Sequence, residues 1–127
     1  MKYLIDTQIL IWIFGDSYRI PKKILDILKN TENQIIVSAV SIWEIAIKKS
    51  IGKLKFDFEL KILVQEIYEM NINILDITSE QIIKVADLPF HHKDPFDRLI
   101  ISQAILENLP VNSSDVNFKK YEIELIW

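Results

Sequence analysis

Acidic residues at four places in the chain have neighbours that invite chemistry. Asp6 closes the apolar run in "YLIDTQ", Asp115 follows "PVNSS", and Glu44 lies within "SIWEIAIKKSIGKL". In "HHKDPFDRLIISQA", residues 91–104, Asp94 and Asp97 stand three apart just before a run that turns almost wholly apolar. Carboxylates in such places either punctuate helices or gather around a cation, and local pattern is the first means of telling which.

Asp94 reads as a helix N-cap, with Pro95 suited to the first helical position. Asp97 would also face the positive end of the helix dipole, but its direction sets it apart. At about 100° per residue, Ile100, Ile101, Ala104 and Ile105 form one apolar arc, and Asp97 falls at its middle. A cap has no need to point inward. A carboxylate in a buried stripe costs several kcal/mol unless it is paired, protonated or bound to a metal.

The other acids have structural alternatives. Asp6 is either an N-cap shared with Thr7 or a site residue, and Asp115 fits an Asx-turn or cap before "VNFKKY". Glu44 completes an S-x-x-E capping box with Ser41 and makes an i,i+4 pair with Lys48, at the edge of an arc set by Trp43, Ile47 and Ile51. Their shared location, at strand exits or the first turn beyond, is harder to explain by capping. Carboxylates brought together repel and raise one another's pKa unless a cation joins them. An all-oxygen cage suits Mg²⁺ or Mn²⁺, and such ions polarise phosphoryl oxygens and activate water.

The elements that must position these acids follow from the pattern. Short apolar runs, "KYLI", "QIIVS", "INILDI", "PVNSS" and "EIELIW", read as strands. Between them "QILIWIF", "PKKILDILKN", "SIWEIAIKKSIGKL", "DFELKILVQEIYEM", "SEQIIKVADL" and the stretch after Asp94 read as helices. Apolar strands separated by helices predict an α/β fold, a mostly parallel central sheet flanked by helices in three layers. In open sheets of this class ligands bind beyond the carboxyl ends of the strands, near a topological switch point.

Composition bounds the function. The 127 residues contain no internal repeat and no linker-like tract, so one domain, 1–127, is expected. There is no cysteine, which excludes disulfides, thiolate zinc sites and thiol nucleophiles. The longest apolar run, residues 9–14, is too short to span a bilayer, and a soluble, cytoplasmic protein without a membrane partner is the expectation. A formal net charge of −3 argues against gripping nucleic acid by bulk electrostatics. Binding to it would use a metal or local patches such as Lys48, Lys49, Lys53 and Lys55, Arg19, Lys22 and Lys23, or Lys119 and Lys120.

"LIDTQILIW", "VSAVSIWEIAIKKSIGKL", "HHKDPFDRLIISQA" and "VNSSDVNFKKYEIELIW" resemble the PIN-domain ribonucleases of the VapC toxin type, over nearly the whole chain. The resemblance implies a PIN-like sandwich and a metal-dependent endoribonuclease, the toxin of a type II toxin-antitoxin pair. It implies an acidic quartet of Asp6, Glu44, Asp97 and Asp115 holding Mg²⁺ or Mn²⁺ and hydrolysing RNA. Ser113 matches a family hydroxyl that orients substrate or water, although threonine is more usual near this place. The resemblance also implies a homodimer silenced by a small antitoxin protein.

Of the remaining residues, His91 and His92 read as loop or capping groups and Arg98 as an ion-pair partner off the buried arc. Trp12, Trp43, Trp127, Phe90 and Phe96 read as core or dimer interface. A rival reading is a non-catalytic, receiver-like signalling module with an acidic Mg²⁺ pocket, for which Asp76 in "ILDIT" is the one phosphoacceptor on offer. A PIN fold that only binds RNA would need a broken quartet, and this one is intact.

Overall fold

The structure, a computed structural model, describes residues Met1–Trp127. Five strands, β1 (Lys2–Ile5), β2 (Gln34–Ser38), β3 (Asn73–Leu75), β4 (Val111–Asn112) and β5 (Leu125–Ile126), form one sheet in the order β3-β2-β1-β4-β5. Every pairing is parallel, with Ile5 in register with Val37 on one side and with Asn112 on the other. The sheet is thus wholly rather than mostly parallel. Its edge strands are shorter than the apolar runs that announced them.

Six helices cover the sheet: α1 (Thr7–Phe14), α2 (Lys22–Lys29), α3 (Ala39–Ser50), α4 (Leu60–Glu69), α5 (Ser79–Asp87) and α6 (Pro95–Leu106). Short 3-10 turns occupy Ser17–Arg19 and Val116–Lys120. Period-two alternation divides the strand side chains between two cores. Tyr3, Ile5, Ile35 and Val37 pack with Ile9, Leu10, Ile24, Leu63 and Ile67 on one face. Leu4, Ile36 and Val111 pack with Ile100, Ile101, Ala104 and Phe118 on the other. This double burial is why the central strands are apolar at nearly every position.

Local chemistry ends the helices. α3, α4 and α6 each finish with a left-handed residue, Gly52 (φ 73°), Asn71 (φ 63°) and Asn108 (φ 52°). The next residues, Lys53, Ile72 and Leu109, donate back to the carbonyls of Lys48, Ile67 and Ala104, closing Schellman motifs. Thr78 opens α5 with a capping box to Gln81.

Two local readings are corrected. α3 begins two residues before Ser41: Ser38, at the end of β2, is the cap and accepts from the Val40 N–H, so Ser41 and Glu44 form no capping box. The arc of Trp43, Ile47 and Ile51 faces outward, each at least 40% exposed, and the buried face of α3 carries Val40, Ser41, Glu44 and Ile45.

Arg98 is likewise neither an ion-pair partner nor exposed. Its guanidinium is buried and donates to the carbonyls of Pro89 and Val85 at 3.0 Å each and of Leu88 and His92 at 3.4 Å each. It also lies 4.4 Å from the centroid of the Phe90 ring. The clamp fixes the segment between α5 and α6 against α6, using a fork of donors that an ammonium lacks. Arg98→Lys is therefore expected to destabilise the protein by about 2 kcal/mol in urea unfolding. An unchanged midpoint and slope would remove the clamp from the account.

Candidate functional site

β1 lies between β2 and β4, and the chain leaves it in one direction to reach β2 and occupies the opposite side with β4. That reversal opens a crevice at the carboxyl ends of β1 and β4. Asp6 is the first residue past β1, and Asp115 lies three residues past β4. A cavity of about 360 Å³ opens there. Its walls include Asp6, Glu44, Asp94, Asp97 and Asp115, the basic Lys48 and Lys53, Thr7 and Ser114, and the apolar Ile11, Leu54 and Phe118.

The structure therefore brings together all four acids singled out above. Each is held by its own element. Asp6 caps α1, accepting from the Ile9 N–H at 2.9 Å, and Asp115 caps the turn Val116–Lys120, accepting from the Asn117 N–H at 2.9 Å. Asp94 caps α6, accepting from the N–H groups of Phe96 at 2.8 Å and Asp97 at 3.3 Å. This leaves Asp97, in the first turn of α6, free to turn inward. Capping and clustering are thus not alternatives for Asp6 and Asp115: one carboxylate oxygen serves the helix end while the group lines the cavity.

Glu44 comes from the buried face of α3. It accepts from the Thr7 hydroxyl at 2.7 Å, and that hydroxyl lies 2.9 Å from Ser41 Oγ. Its second oxygen pairs with Lys48 Nζ, as the i,i+4 spacing predicts. Ser113 is fully buried beneath the cavity, where Oγ accepts from the Asp115 N–H at 3.0 Å. Its hydroxyl also hydrogen-bonds the Asp6 carboxylate, and the next residue, Ser114, lines the cavity.

His92, read from the sequence as a loop or capping group, lies in the site. Its Nε2 lies 2.9 Å from Asp97 Oδ2 and 3.0 Å from Asp115 Oδ2, and its side chain is 12% exposed. A loop position has no periodicity to betray an inward direction. The sequence signal available was proximity to "DPFD". His91 does not line the cavity and packs T-shaped with Tyr121, 5.3 Å between ring centroids.

Crowding shows in the proton affinities. Burial raises the Asp6 carboxyl from 3.8 to about 6, with Asp115 and Glu44 adding to the rise and hydrogen bonds from Ser113 and the Ile9 N–H opposing it. Burial likewise raises Asp97 to about 7, helped by the charges of Asp94, Glu44 and Asp115 and opposed by His92. The donors here are hard oxygens from several carboxylates in a half-dry crevice, with no thiolate within the chain. That set fits Mg²⁺ or Mn²⁺ better than a soft metal.

The family model of the PIN domain matches residues 3–124. No match was found among curated protein sequences. Among solved structures, the chain is similar to one in VapBC2 of Rickettsia felis bound to a DNA fragment from its promoter, at 22% identity and a TM-score of 0.70 over 99% of this chain and 98% of that one. It is also similar to one in VapBC-1 of nontypeable Haemophilus influenzae, at 16% identity and a TM-score of 0.71 over 99% and 97% of the two chains. A third, in DNA-bound VapBC of Salmonella typhimurium, has 18% identity and a TM-score of 0.70 over 99% and 97%. At these identities the likeness is one of fold, and it spans both chains almost end to end. With the family match running from β1 to the residue before β5, the chain belongs to the PIN domain family.

Proposed function

We propose that this chain is a metal-dependent endoribonuclease that hydrolyses RNA phosphodiester bonds, working as one domain over residues 1–127. The observation that carries the reading is the convergence of Asp6, Glu44, Asp97 and Asp115, from four separate segments, on one crevice at the switch point of a PIN sheet. These four residues would hold Mg²⁺ or Mn²⁺. The chemistry the ion supplies when bound is Lewis-acid polarisation of the phosphodiester and a lowered pKa for attacking water.

The chain's own residues supply the rest. Lys48 offsets part of the charge on Glu44 and keeps it directed into the crevice. Lys53 at the rim offers a cation to the RNA backbone, a local contact consistent with a chain whose formal charge is −3. Ser113, whose hydroxyl hydrogen-bonds the Asp6 carboxylate and accepts from the Asp115 N–H, orients these two acids, and Ser114 lines the crevice beside it. Ile11, Leu54 and Phe118 limit water around the reacting group.

We further propose that the protein is the toxin of a type II toxin-antitoxin pair, cytoplasmic, homodimeric and silenced by a small antitoxin. The structures it is similar to were solved as VapBC complexes, which supports the pairing. Two apolar surfaces are available for protein partners. One is a patch of Trp43, Ile82 and Phe90, all at least half exposed and lining one shallow cavity, and the other a cleft of about 250 Å³ walled by Ile13, Ile20, Leu25, Leu28, Met70 and Ile72. No helix is long and apolar enough to cross a membrane.

The receiver-like reading loses its support. Asp76 follows the edge strand β3, outside the crevice, and the strand order differs from the 2-1-3-4-5 order of the receiver class.

RNA cleavage is expected to require Mg²⁺ or Mn²⁺ and to stop in chelator; undiminished cleavage in EDTA would sink the metal mechanism. Asp97→Asn removes a charge that repels its neighbours while keeping shape. Without metal it should melt no lower than the parent, gaining about 1 kcal/mol, yet bind Mn²⁺ poorly and fail to cut RNA. Thermal melts in EDTA and in Mn²⁺ beside a cleavage assay check this. A destabilised but active variant would contradict it.

A further inference from the structure

His92 is unusually well fixed for a loop residue. Its N–H donates to the Tyr121 hydroxyl at 2.9 Å, and that hydroxyl donates to the Pro89 carbonyl at 2.8 Å. Its own carbonyl accepts from the Arg98 guanidinium, and its ring stands edge-on to Phe118, 6.2 Å between centroids. Backbone and ring plane are therefore set before anything enters the crevice.

The two ring nitrogens have different partners. Nδ1 faces the backbone N–H of Asp94 at 3.2 Å, a group that can only donate, so Nδ1 must accept and carries no proton. The ring proton then resides on Nε2, between Asp97 Oδ2 at 2.9 Å and Asp115 Oδ2 at 3.0 Å. An Nε2–H between two carboxylates is a shared donor. It presents no lone pair, so His92 in this state cannot join Asp97 and Asp115 as a third metal ligand, although its ligand atom lies with theirs in a group spanning no more than 4.8 Å.

We propose that His92 is a positioning residue: an imidazole locked as the Nε2–H tautomer by the backbone of Asp94, holding Asp97 and Asp115 together from outside the cation cage. This rests on the metal-binding reading of the crevice. The two carboxylates arrive on separate elements, α6 and the turn after β4, with no direct hydrogen bond between them, and His92 is the group that touches both. Donors in this outer position fix the orientation of ligands, and their loss commonly weakens metal affinity by about 10- to 100-fold. Leaving the cage all-oxygen also favours a hard ion over zinc.

The test has two readouts on the full chain. The first is ¹⁵N–¹H correlation NMR of the imidazoles near neutral pH; with only two histidines, signals lost in His92→Phe assign the ring. His92 is expected to carry its proton on Nε2 in the metal-free protein and to keep it when Mg²⁺ is added. A proton on Nδ1, or loss of the Nε2 proton on adding Mg²⁺ as an imidazole ligand would show, overturns the proposal whether or not any variant folds. The second is Mn²⁺ affinity by calorimetry, with Asp97→Asn as control. His92→Phe should weaken binding by about tenfold or more, and His92→Gln, which returns an amide donor, should recover most of that loss. If Asp97→Asn loses Mn²⁺ while His92→Phe binds like the parent, the role of His92 is refuted and the metal site stands. If Asp97→Asn also binds like the parent, the metal reading itself fails and takes this proposal with it.

Discussion

Repulsion among carboxylates that the sheet forces together is the constraint around which the rest of the molecule is arranged. Parallel strands all point their carboxyl ends one way, so residues that follow β1 and β4 meet at one edge however far apart they lie in the chain. α3 and α6 then direct Glu44 and Asp97 into the same crevice. Burial and mutual charge push Asp6 and Asp97 toward neutrality at a pH where free carboxyls are ionised. The fold tolerates this because each acid is restrained by something other than its neighbours: Asp6 and Asp115 by the helical turns they cap, Glu44 by Thr7 and Lys48, Asp97 by His92. Such an arrangement is costly without a cation, which is the physical reason for assigning it one.

The supporting parts are conventional, and their locations explain their form. The face of the sheet packed by α6 has a second task, since the same helix start that supplies Asp97 must also anchor the loop carrying His92. Arg98, the residue after Asp97, does the anchoring by taking four backbone carbonyls, and Tyr121 completes the frame by receiving the N–H groups of His91 and His92. Buried backbone carbonyls need donors, and a guanidinium supplies several in one plane. Neighbouring positions on α6 thus divide the labour: Asp94 caps, Asp97 enters the crevice and Arg98 holds the frame.

Legibility in the sequence followed the range of each signal. The strand and helix order could be read because short apolar runs and cap residues are local, and the inward turn of Asp97 because a helix fixes direction over several residues. The α3 register could not. "SIWE" satisfies the capping-box pattern, but Ser38 already caps the helix, and the apolar Trp43, Ile47 and Ile51 face out because the inner side of α3 at Glu44 meets the acidic crevice. His92 and Arg98 were misread for a related reason. His92 joins the nearby Asp97 to Asp115, 23 residues away, and Arg98 meets backbone carbonyls that no residue type announces. The quartet itself was legible partly as a shared position at strand exits and partly through family resemblance; local pattern alone left Asp6, Glu44 and Asp115 with adequate structural explanations.

The central claim is that the metal-free protein is strained by its own ionised carboxylates, and its most direct test is stability against pH. The native pKa values of Asp6 and Asp97, about 6 and about 7, lie above the ordinary 3.8, so the folded state holds these protons more tightly than the unfolded chain. Their contribution is fully present below about pH 4 and lost as pH rises through 6 to 7, by about 3 kcal/mol for Asp6 alone. Melting temperature in EDTA should therefore fall as pH rises between about 4 and 8, and Mn²⁺ should restore it most at the upper end. A metal-free melting temperature that climbs across that window, with no response to Mn²⁺ at pH 8, would contradict the account.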